Sequence, residues 1–163
     1  MHRAIEAHLR TPQVARVIYG AIIGMALVVG LEAHPPPPWV VAGTLLATAV
    51  AVGLAELYSE AVGTETRNRR RLGRAQLAEI LDDVAAVAFG IAFPAIFFVL
   101  AAVGVLEADT AFTVAKWSGV GLISMYGFLA GRLAGGSVAV SLLQALAVGA
   151  IGGALIAFKA LIH

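Results

Sequence analysis

Cysteine is absent from this 163-residue chain, which excludes disulfides, thiolate metal sites, haem-thiolate chemistry and iron–sulfur clusters. Charge is scarce: Asp, Glu, Lys and Arg make up 13% of the residues, against about a quarter in a soluble domain. So few polar side chains cannot cover a globule of this size, and lipid is the solvent the composition implies. Of the four histidines, His2, His8 and His163 lie near the ends of the chain, and no two histidines share a helix face at ligand spacing, so an imidazole-rich metal site is not expected. A net charge of +1 gives no reason to expect nucleic acid. No nucleophile is paired with a base, and neither a phosphate-binding glycine loop nor a zinc-hydrolase signature is present. The chain is therefore expected not to be an enzyme, with no catalytic residues and no cofactor.

What the sequence has in quantity is apolar length. Hydrophobic residues make up 60% and the mean hydropathy is +0.91. A spanning helix needs roughly 20 apolar residues to cross about 30 Å of hydrocarbon. Five segments meet that requirement, at about residues 14–31, 39–58, 84–106, 110–133 and 137–158. Pro94, near the middle of the third, should kink it. The connections at residues 34–38 and 106–110 are short, so the spans should form antiparallel hairpins. The expected fold is all-α, one domain over residues 14–163 in an integral membrane bundle of five transmembrane helices. Residues 1–13 read as an N-terminal interfacial segment, with Ile5 and Leu9 on one face, in preference to a cleaved secretory signal.

Lys and Arg concentrate in short cytoplasmic loops. Arg3, Arg10, Arg16, Arg67, Arg69, Arg70, Arg71, Arg74 and Arg132 fall on one side of the five-span arrangement, and Lys116 and Lys159 on the other. This places the N-terminus and residues 64–74 in the cytoplasm and the C-terminus outside. Trp39, Tyr58 and Trp117 lie near span ends, where aromatic belts form. Gly20 with Gly24, Gly127 with Gly131, Gly131 with Gly135, and Gly149 with Gly153 have GxxxG spacing. Packing within the chain is the plainer role of these pairs, and a homodimer seam on the first or fifth span is the alternative.

Ionisable side chains in or beside spans are the pointers to function, because burying them is costly. Glu56 and Glu60 share a helix face at the cytoplasmic end of the second span, and Glu79 and Asp83 have the same spacing at the start of the third. If these spans are neighbours, the carboxylates converge at one mouth. Such oxygen clusters suit hard divalent cations, so Glu56, Glu60, Asp83 and Glu79 are the candidate metal residues. The plainer role for these acids is pairing with the five arginines of the following loop. Outside, Glu32, Glu107 and Asp109 face Lys116 and should pair at the surface. Met25 and Met125 are expected to be packing residues.

Gly53-Leu54 followed by Tyr58-Ser59-Glu60, then Gly90-Ile91-Ala92-Phe93-Pro94, and Tyr126-Gly127 through Gly131-Arg132 with Ser137, Gln144-Ala145 and Gly149-Ala150 resemble the membrane domain of the vacuolar iron transporter family. The resemblance covers most of residues 17–163. It implies a five-helix homodimer that moves Fe²⁺, and often Mn²⁺, out of the cytosol in exchange for protons. Three features depart from that pattern. Tyr19-Gly20 stands where the first helix of the family has an aspartate before glycine. Val52 stands where its second helix has a methionine. The long cytoplasmic metal-binding helices are absent.

The expected function is therefore divalent-cation transport by a multi-pass protein of a bacterial-type plasma membrane, with metal cations and protons as the transported species. The alternative is a non-transporting scaffold or partner-binding subunit on the same fold. A transporter needs Glu56 directed at a cavity or dimer seam, whereas a scaffold leaves it ion-paired or reaching for the interface. Glu56 is the sharpest candidate, since protons competing with a metal for its carboxylate would couple the two fluxes.

Overall fold

The computed structural model describes residues 11–162, and the side-chain environments of residues 13–157. Residues 1–10 of the interfacial segment lie outside the described residues. The described chain forms six helices: α1 (Thr11–Leu31), α2 (Pro38–Asn68), α3 (Arg74–Ala92), α4 (Ala95–Ala102), α5 (Ala108–Leu133) and α6 (Val138–Ile162).

Hydropathy locates these helices but understates two of them. The second span continues ten residues past Tyr58 to Asn68, and the third begins ten residues earlier, at Arg74. The α3 extension is rich in Arg, Ala, Gln, Leu and Glu, which are good helix formers, whereas that of α2 mixes Glu60, Ala61, Glu65 and Arg67 with the weaker Ser59, Val62, Gly63, Thr64 and Thr66. Apolar content marks the width of the hydrocarbon, whereas hydrogen bonding and propensity set the length of the helix. At 31 residues α2 is about 46 Å long, well beyond a bilayer core of about 30 Å. The loop expected over residues 64–74 is accordingly only residues 69–73.

Pro94 divides the third segment as expected. It lacks the N–H that would bond to the Gly90 carbonyl, and α3 and α4 meet at a bend of 47°. Among the described residues, three helices are long and apolar enough to cross a membrane on their own: Gln13–Leu31, Pro38–Asn68 and Val138–Ala157. The bent α3–α4 pair makes a fourth if it is one span. Helix α5 has the length, at 26 residues, but Asp109, Lys116, Arg132 and several Ser, Thr and Gly residues lower its hydropathy.

Helix α1 stands at the centre, with α3 and α5 packed along it and α6 behind α5. α2 lies against α3 and α4 and touches α1 little. Glycine makes the α1–α3 crossing possible. A Cβ on Gly20 would collide with the Val87 carbonyl, and one on Gly24 would lie 2.8 Å from the Ile91 carbonyl. A Cβ on Gly90, from the other side, would lie 2.5 Å from the Val17 carbonyl oxygen. The Gly20–Gly24 pair thus serves packing within the chain. Gly127 and Gly131 admit α6 at Ala145 and Ser141, and Gly149 faces Ser124. Met25 is buried among Ala21, Val29 and Ile123, with its sulfur over Gly119, so its role is packing. Met125 is half exposed.

Candidate functional site

One charged cluster sits inside the edge of the bundle, and three helices build it. Arg16, near the start of α1, reaches across to α2 and α3. Its Nη1 donates to Glu56 Oε2 at 3.0 Å and its Nη2 donates to Glu60 Oε1 at 2.7 Å. Asp83 Oδ2 of α3 is 3.8 Å from the same Nη2, which is ion-pair range but too long for a hydrogen bond. The four side chains are partly buried, between 22% and 34% exposed, so solvent screens them less than it screens surface ions.

Helix periodicity explains the convergence. Glu56 and Glu60 are one turn apart on the same face of α2. The antiparallel α2–α3 hairpin brings Asp83 level with them, and the path of α1 beside α3 brings Arg16 to that level. The sequence-predicted acids Glu56, Glu60 and Asp83 are thus gathered at one end of the bundle. Glu79 is one turn before Asp83 but is exposed and makes no ion pair among the described residues. Among the described residues no three His, Asp or Glu side chains stand grouped as a metal set, and the Arg16 guanidinium lies between the acids of α2 and α3.

Arg16 is the residue that spacing does not reveal. The plainer role for the candidate metal acids is pairing with the loop arginines, but Glu56 and Glu60 pair with an arginine 40 residues or more away in sequence. The available signal was depth: in a five-span arrangement, Arg16 and Glu56 fall at the same side of the membrane. On the criterion that separates a carrier from a scaffold, Glu56 is ion-paired, the arrangement that a scaffold leaves.

A second ion pair closes the opposite end. Lys116 of α5 donates to Glu32 Oε1, just past α1, at 2.6 Å, the pairing that the external loop charges suggest. Glu107 and Asp109 are exposed. Helix α1 is therefore tied to α2 and α3 by charge at one end and to α5 at the other, with apolar contacts between. These comprise a cluster around Met25 and a larger one in which Phe98 meets Phe112 edge-on at 4.8 Å.

No family model, curated protein or solved structure matches the chain.

Proposed function

We propose that the chain carries divalent cations of the Fe²⁺ or Mn²⁺ class across a membrane in exchange for protons, with the Arg16 cluster at the cytoplasmic mouth of the path. The observation supporting this reading is a charge imbalance. Three carboxylates share one guanidinium, and only two of them receive hydrogen bonds from it. With all three acids ionised, two negative charges remain uncompensated among the described residues at the edge of the hydrocarbon, where uncompensated charge is destabilising. A latch between helices needs a single acid. Three carboxylates on two helices are not grouped as a metal set while Arg16 stands among them, but they supply hard oxygen donors whose charge a divalent cation or protons would neutralise once the guanidinium moves away. In this reading Arg16 holds the acids when no cation is bound and turns aside when one arrives.

The same reading takes α1, α2, the α3–α4 pair, α5 and α6 as five spans, with the N-terminus cytoplasmic and the C-terminus external. Lys116 then crosses with α5 because Glu32 neutralises it. It also takes the active form as a homodimer. Since the Gly20–Gly24 pair of α1 is covered by α3, α6 is the remaining candidate for the seam, with Gly153 facing open space. The likeness to vacuolar iron transporters points the same way, through Glu60.

One observation favours a second reading, a non-transporting scaffold: Glu56 is held directly by Arg16. Flux into sealed proteoliposomes separates the two. The carrier reading predicts Mn²⁺ uptake by the wild type and its loss in Glu56→Gln, with both proteins equally monodisperse and helical. Uptake that is absent in the wild type, or equal in both, contradicts carriage through Glu56.

A further inference from the structure

The five arginines of the α2–α3 tip have no role in the cluster. Arg67, Arg69, Arg70, Arg71 and Arg74 are all exposed, and none takes part in an ion pair among the described residues. Between residues 64 and 74 the only acid is Glu65, and its Oε1 accepts the Leu72 backbone N–H at 3.1 Å. Gln76 Oε1 likewise accepts the Gly73 N–H at 3.1 Å. Arg69 ends α2 in the left-handed region, at φ 48°, which turns the chain sharply. The tip is thus a tied turn that presents five exposed arginines with no ion pair among the described residues.

The depth of the tip decides what that charge meets. On α2 an exposed apolar run, Leu46, Val50, Leu54, Tyr58 and Val62, ends five residues before Arg67. On α3 the corresponding run, Phe89, Leu81 and Leu77, ends three residues from Arg74. At about 1.5 Å per residue the arginines begin roughly 4–8 Å beyond the last apolar side chains. A headgroup layer is about 5–7 Å deep on each face of a bilayer. Acyl chains that cover Val62 and Leu77 therefore put the lipid phosphates at the level of the arginines. Guanidinium groups pair with phosphate oxygens through two parallel hydrogen bonds, and clusters of this size at a membrane edge favour anionic lipid.

We propose that the α2–α3 tip is a binding site for anionic phospholipid headgroups, with Arg67, Arg69, Arg70, Arg71 and Arg74 holding their phosphates. The inference requires only that the apolar helices lie in a bilayer, and it stands apart from cation carriage.

Native mass spectrometry of the full chain in neutral detergent, titrated with phosphatidylglycerol or phosphatidylcholine of the same acyl chains, tests it. The wild type should retain phosphatidylglycerol in preference to phosphatidylcholine. At about 1 kcal/mol per arginine near the surface, Arg70→Gln alone should weaken that binding on the order of fivefold, and Arg69→Gln/Arg70→Gln/Arg71→Gln together on the order of 100-fold. The single variant keeps the test decisive if the triple variant does not fold. Equal retention of the two lipids by the wild type overturns the proposal, as does undiminished phosphatidylglycerol binding by the folded variants. Displacement of the lipid by equimolar inorganic phosphate would mean a soluble-anion site and would overturn it too.

Discussion

Arg16 selects its partners by geometry. Five loop arginines are closer in sequence to Glu60 and Asp83, yet they begin three to five residues beyond Val62 and Leu77, while Arg16 enters at the depth of the acids. Hydrogen bonds to charged groups contribute about 1.5–3 kcal/mol each when buried, and exposed pairs less than about 1. For a cluster about three-quarters buried, Arg16→Gln should cost about 1–3 kcal/mol in thermal or detergent-denaturant unfolding. Glu79→Gln, which removes an exposed acid, should cost less than about 0.5 kcal/mol. Equal effects from the two variants would mean that the cluster adds nothing to the fold. The acids themselves were legible, because one-turn spacing and a short hairpin suffice to bring Glu56, Glu60 and Asp83 together. Their partner was not, because spacing along one helix carries no information about which other helix stands beside it at that depth.

At the scale of elements, the small residues decide how helices meet. Gly20, Gly24 and Gly90 let the α1 and α3 backbones touch, and the Cβ contacts there are with backbone atoms, which cannot yield by changing a rotamer. Gly20→Ala or Gly90→Ala should therefore destabilise by about 1–3 kcal/mol or more, as overpacking does. Gly43→Ala, on a face with nothing within 4 Å, should be neutral or slightly stabilising, since alanine is the better helix former by up to about 1 kcal/mol. Comparable losses for Gly20→Ala and Gly43→Ala in thermal unfolding would refute the crossing. GxxxG spacing alone left open whether α1 packs inside the chain or against a second copy, and only the position of Val87 over Gly20 assigns it to the inside. The bend at Pro94 was readable because a missing N–H acts in any surroundings. The polar ends of α2 and α3 were not, since hydropathy is silent about helix that leaves the hydrocarbon core.

At the scale of the whole molecule, charge sits at the two ends of α1 and apolar contact lies between them. Lys116 pairs with Glu32 at one end, whereas among the described residues the Arg16 cluster sets three acids against one base. That asymmetry separates a simple clamp from a place that can take up a cation, and the proposed function rests on it. The most direct measurement is titration of the purified protein with Mn²⁺, following free Mn²⁺ by electron paramagnetic resonance. The account predicts one Mn²⁺ bound per chain by the wild type, tighter binding by Arg16→Gln as the guanidinium no longer competes, and loss of binding in Glu56→Gln/Glu60→Gln. A wild type and an Arg16→Gln variant that both leave the free Mn²⁺ signal undiminished would contradict it.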